Sequence, residues 1–160
     1  MRIRIRPSVP EDAEAIADVQ VRSFQAGLIG IHSAEALAAL DPAPRVPLWR
    51  ERSAFVAEDE EGVAGLVQVG PSDEEGVGEI YRLFVAPERW GKGVGQALMR
   101  HAREQLRSAG SDQALLWVHA GNRRARRFYE AGGWRHDGAA KDQEALGHLV
   151  RLLCYRICLR

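Results

Sequence analysis

Cysteine is nearly absent: the 160 residues hold only Cys154 and Cys158, too few to staple a small disulfide fold. Both fall in Leu152-Leu153-Cys154-Tyr155-Arg156-Ile157-Cys158, which reads as a strand. Four residues of strand would hold the sulfurs roughly 13 Å apart, beyond disulfide reach. Without a His or Cys partner nearby they make no zinc site, so no metal is expected. Both are expected to be buried small hydrophobes, and a reducing, cytoplasmic setting fits. No apolar run approaches the roughly 18–20 residues of a membrane span. The opening Met1-Arg2-Ile3-Arg4-Ile5-Arg6 alternates instead of leading into an apolar stretch, unlike a signal peptide. Internal repeats and low-complexity segments are lacking, and the length suits one domain spanning 1–160.

Net charge is also missing, with 22 basic and 22 acidic residues. A zero sum argues against nucleic acid and anionic membranes as partners. Its distribution is uneven. Residues 53–81 carry eight acids and no Lys or Arg, whereas residues 82–136 carry eleven basic residues and four acids. The positive segment suggests a local anion site. The acidic one would suit a cationic ligand, or is a set of solvated turns.

What is present is a strongly patterned chain that is 46% hydrophobic. Arg2 to Arg6 alternates Ile with Arg, as a half-buried strand does. Ser8 and Glu11 have the spacing of a capping box, followed by helix-spaced Ala13, Ile16, Ala17 and Phe24. One or two short helices are expected over 31–52, interrupted by Pro42, Pro44 and Pro47. Strands at Ala54–Glu58, Val63–Val69 and Gly78–Val85 read as an antiparallel meander. Val94, Leu98, Ala102 and Leu106 recur every four residues in a long helix closed by Gly110. The strand Ala114–Val118, a helix over Asn122–Ala131, a strand of four residues around Trp134 and a last strand at Leu149–Leu159 complete the order. Strand, long helix, strand is a right-handed crossover, which makes its two strands parallel.

The chemistry concentrates at Trp90-Gly91-Lys92-Gly93-Val94-Gly95-Gln96, between a strand and a helix. Glycines there let backbone N–H groups converge on an anion at the positive end of the helix dipole. A P-loop would need Ser or Thr after Lys92, and a dinucleotide fingerprint would need glycine at Gln96 or Leu98. Neither is met. The segment Val85-Ala86-Pro87-Glu88-Arg89-Trp90-Gly91-Lys92-Gly93-Val94-Gly95-Gln96-Ala97-Leu98 instead resembles the acetyl-coenzyme A turn of the GCN5-related N-acetyltransferase (GNAT) superfamily. Downstream, Val118, Asn122, Ala125, Phe128, Tyr129, Glu130 and Gly133 match a second skeleton typical of that family. Trp90 stands where the family usually has Gln or Arg.

The resemblance implies an α+β fold: a mixed, mostly antiparallel sheet of about seven strands flanked by about four helices, with a parallel pair splayed for the cofactor. It implies transfer of the acetyl group of acetyl-CoA to a primary amine, small molecule or peptide, by direct attack in a ternary complex. A non-catalytic acyl-CoA sensor, or an enzyme using a different acyl-CoA, is the alternative. Cofactor contacts are implied at Leu83, Phe84 and Val85, at Trp90 to Gln96 including Lys92, and at Asn122, Arg126 and Tyr129. The excess charge of 82–136 then reads as the footprint of one phosphorylated cofactor, although the arginines between Arg123 and Arg127 would equally suit a solvated helix face. Tyr129 is implied as the acid and Glu79 as the base, with His32 and His119 as rivals. Phe24, Ile29, His32, Trp49, Tyr81, Trp117 and His119 could line the acceptor pocket. Family members often form homodimers through the sheet edge or last strand, so that state is open to this chain.

Overall fold

The computed structural model describes residues 2–160. Twelve elements run in the order β1 (Arg4–Pro7), α1 (Ala13–Gly27), α2 (Ala34–Ala38), α3 (Val46–Glu51), β2 (Phe55–Asp59), β3 (Gly62–Pro71), β4 (Val77–Val85), α4 (Val94–Ser108), β5 (Gln113–His119), α5 (Arg123–Ala131), β6 (Arg135–Ala145) and β7 (His148–Cys158). The strands form one seven-stranded sheet ordered β1-β2-β3-β4-β5-β7-β6. Only β4 and β5 are parallel neighbours, as the crossover through α4 requires. No helix among the described residues is long and apolar enough to cross a membrane.

Hydrophobic periodicity explains both faces. Val94, Leu98, Ala102 and Leu106 lie on one stripe of α4, and all are buried against Val67, Ile80, Leu116 and Tyr155 of the sheet. On the opposite face Ile16 and Ala17 of α1 pack with Trp49, Val56, Leu66 and Phe84. The sheet therefore sits between two helical layers, each covering a separate core.

Four expectations need correction. Ser8 and Glu11 form no capping box: Ser8 Oγ accepts from Ala54 N at 3.0 Å, and Asp12 Oδ2 accepts from Val9 N at 2.8 Å in its place. Asp12 is the better acceptor because it also pairs with Arg6 Nη1 at 2.8 Å, and that guanidinium holds its carboxyl below the usual range. In place of a short strand around Trp134, an eleven-residue edge strand, β6, begins at Arg135. It pairs only with β7 and buries almost no side chain, so nothing selects alternating apolar residues. Cys154 is buried as expected, and burial foremost pushes its thiol up to about 11, but Cys158 is exposed near the sheet end. Trp49 belongs to the α1 core, where its indole donates to Gln20 Oε1 at 2.9 Å, so it lines no pocket.

The charge asymmetry is partly structural. Arg89 is buried and forks onto Asp59 at 2.9 and 3.1 Å. Arg107 donates to Leu159 O at 2.6 Å, closing α4 onto the chain end. From the acidic segment, Glu58 pairs with Arg6, Asp59 with Arg89 and Glu74 with Arg156. These pairs tie sheet edges and turns together.

Candidate active site

The parallel pair opens into a cleft. β4 and β5 stay in register only at Val77–Gln113, Gly78–Ala114 and Glu79–Leu115. Just beyond, the β3–β4 register slips between Gln68 and Val69, leaving Tyr81 as the extra residue of a bulge. A bulge bends its strand and raises the local twist, which swings the rest of β4 away from β5. Tyr81 is anchored there by donating from its hydroxyl to Pro71 O.

The opening exposes backbone. Ala86 N donates to Ala64 O at 2.8 Å, so Ala86 faces β3. Alternation along the strand then turns the N–H groups of Val85 and Leu83 toward the opening. The Val85 carbonyl, on the same side, accepts from Trp90 Nε1 at 2.9 Å. Trp90 thus closes the strand end, and Arg124 of α5 stacks over its ring at 3.5 Å.

The glycine turn follows immediately. Gly91 and Gly93 have φ of +75° and +86°, which L side chains rarely adopt. Gly93 precedes α4 without offering a side-chain cap, and the first intrahelical bond runs from Ala97 N to Gly93 O at 3.0 Å. The N–H groups of Val94, Gly95 and Gln96 thus have no intrahelical acceptor. At the tip of a 15-residue helix they form an anion cradle. A Cβ on Gly95 would meet the Phe128 ring at 3.2 Å, and this close approach brings α5 beside the cradle.

A cleft of about 930 Å³ runs from this turn along the splayed strands. It gathers most residues expected from the sequence: Leu83, Phe84, Val85, Trp90, Gly91, Gly93, Val94, Gly95, Gln96 and Asn122, together with Phe24, Glu79, Tyr81, Trp117, His119 and Tyr129. Asn122 also caps α5, accepting from Ala125 N at 3.2 Å. Others lie off the lining. Lys92 is exposed beside the turn, and Ile29 is 75% exposed. Arg126 is committed to the fold, donating to Tyr155 Oη at 3.0 Å and Ala120 O at 2.9 Å. His32 is buried behind the cleft, its ring 5.8 Å from His119 and 4.6 Å from His148.

Titration behaviour sorts the groups. Burial pushes the Tyr129 phenol up to about 12, and among the described residues its hydroxyl has no protein hydrogen-bond partner. Burial also raises Glu79, while Lys141 opposes the rise and Asp73 adds to it. His119 is lowered by burial and by the neighbouring His32 and His148. Sequence reasoning missed Arg82, Lys141 and Gln143 on the lining. Lys141 and Gln143 sit on β6, the strand without an apolar pattern, and Lys141 Nζ lies 4.1 Å from the Trp117 ring centroid. The cleft thus brings together uncapped helix N–H groups, free strand amides, a buried phenol and a carboxylate of raised pKa.

Comparisons with known proteins agree. The pattern of the acetyltransferase (GNAT) family matches residues 20–134. An uncharacterised N-acetyltransferase of Bacillus subtilis is 33% identical over 123 residues, covering 72% of this chain and 71% of that protein. A mycothiol acetyltransferase of Saccharomonospora viridis is 31% identical over 144 residues; these span 82% of this chain but only 45% of that longer relative. The PaiA N-acetyltransferase of Thermoplasma acidophilum, solved in complex with coenzyme A, superposes with a TM-score of 0.77 over 99% of both chains, and at 19% identity this is a likeness of fold. The chain belongs to the GNAT family of acetyltransferases.

Proposed function

We propose that this protein transfers the acetyl group of acetyl-CoA to a primary amine, the two bound together and the amine attacking directly. The observation that carries this reading is the junction of the splayed β4–β5 pair with the uncapped glycine turn, beside the unpartnered phenol of Tyr129. The donor set suits acetyl-CoA. Uncommitted N–H groups from Val94 to Gln96, supplemented by Arg124 and Arg127 on the lining, would hold its pyrophosphate. The N–H groups of Leu83 and Val85 would hold the pantetheine arm and polarise the thioester oxygen.

Acetyl-CoA supplies an activated acyl group, and the side chains manage protons. Like any phenol, Tyr129 is protonated at neutral pH, and burial, which pushes it up to about 12, reinforces this, so it has a proton for the leaving sulfur. Glu79 accepts the proton of the incoming ammonium, directly or through water. Its raised pKa makes it a stronger base than an exposed carboxylate.

This assignment predicts a pH profile. Only ionised Glu79 accepts a proton, so kcat/KM should rise with pH through its raised pKa and then level off. Glu79→Gln should remove that acidic limb and lower the rate about a hundredfold. A limb that persists in Glu79→Gln and disappears in His119→Gln would move the base to His119, whose lowered pKa leaves it neutral at pH 7.

A further inference from the structure

The end of the cleft away from the glycine turn has a charge imbalance. Arg82 pairs with Gln68 across the sheet, and Phe84 with Leu66. Leu66 and Phe84 face the α1 core, so Arg82, two residues earlier, faces the same side. Its guanidinium donates to Gln68 Oε1 at 2.7 Å and meets no carboxylate among the described residues. What lies near it is a second cation. Burial, and then the like charge of Arg52 after α3, lower the proton affinity of Arg82.

Arg52 is exposed, sits 5.9 Å from the Trp49 ring centroid and also has no acid partner among the described residues. Four other arginines contrast with this: Arg6, Arg22, Arg89 and Arg156 each pair with two or more carboxylates. Among the described residues Glu79 is the sole carboxylate on the cleft lining, and Lys141 already stands near it. A half-buried guanidinium without a counter-ion is costly in the free protein, and a bound anion offsets that cost.

We infer that the acceptor is a small zwitterionic amine, of the amino-acid type, whose anionic group is held by Arg82 while its ammonium lies toward Glu79. This rests on the acyl-transfer reading above and names its substrate class. Arg82 and Glu79 lie three residues apart on one strand, and both side chains border the same cleft. A polyamine is disfavoured, because an additional positive charge would meet Arg82 or Lys141.

The test compares acceptors that differ only in the anion. Thiol release from acetyl-CoA is followed with L-amino acids and their primary amides, with phosphoethanolamine and ethanolamine, and with spermidine. Acids are expected to exceed their amides at least tenfold in kcat/KM. Arg82→Gln should bring that ratio close to one, mainly through KM, and Arg82→Lys should restore part of it. A phosphoethanolamine preference with the same Arg82 dependence supports the inference with phosphate as the anion. Amides or spermidine matching the acids, or a ratio unchanged in Arg82→Gln, overturns it. Turnover of no acceptor counts against acyl transfer itself. Calorimetry with CoA present then judges the anion site alone: N-acetylglycine should bind at least tenfold tighter than N-acetylglycinamide, and only when Arg82 is intact. Equal binding overturns the inference.

Discussion

Tyr129→Phe is expected to lower kcat about a hundredfold while changing the dissociation constant of acetyl-CoA less than twofold. The variant separates chemistry from packing unusually well. The phenol oxygen has no protein partner among the described residues, so its loss breaks no internal hydrogen bond. The ring contacts survive: Phe128 at 5.5 Å and Trp134 at 6.3 Å meet the aromatic ring, not the hydroxyl. A drop in kcat with unchanged melting temperature and unchanged cofactor affinity therefore assigns the proton to Tyr129. Wild-type kcat in Tyr129→Phe would remove it from the mechanism, leaving the thiolate to depart unprotonated or to take its proton from water.

Arg89→Met should lose about 3–5 kcal/mol of folding stability, measured by urea titration. Arg89 and Asp59 are both almost fully buried, at 8% and 4% side-chain exposure, so removing the cation strands a carboxylate in the interior. Burial alone would raise that carboxyl, but the Glu61 backbone N–H and the Arg89 fork outweigh it and hold the pKa below the ordinary value. The sign follows. In the wild type the pair stabilises the fold above the usual carboxylate range, and this contribution is lost as pH falls through the depressed value. In Arg89→Met the carboxyl should rise instead, so acidification would lessen the defect. Arg89→Met combined with Asp59→Leu should recover much of the loss, because the unpaired charge is gone. A single variant as stable as wild type would mean that the pair is not a structural tie.

Much of this was legible in the sequence because burial repeats at the period of each element. Val94, Leu98, Ala102 and Leu106 mark α4 because each turn of that helix buries one residue, and the alternating strands of the meander behave likewise. The cradle was legible for another reason: a strand-to-helix turn without Cβ atoms can be recognised from Gly91, Gly93 and Gly95 alone. Features set by long-range partners were not. β6 leaves no apolar pattern because its side chains meet solvent, and Lys141 was hidden with it. Trp49 and Ile29 could not be sorted into core and surface before α3 had a place to pack. Charge was a mixed signal. The segment 82–136 is basic partly because Arg89, Arg107 and Arg126 serve the fold, and Glu58, Asp59 and Glu74 of the acidic stretch are held in ion pairs. Arg82 is informative for a different reason: it is half-buried on the cleft lining with no carboxylate partner among the described residues.

The most direct measurement is thiol release from acetyl-CoA by the purified protein across a panel of primary amines, with mass detection of the acylated product. The account predicts stoichiometric formation of CoA and N-acetyl amine for at least one acceptor, abolished or slowed about a hundredfold in Tyr129→Phe. Tight CoA binding without acetylation of any amine would contradict it.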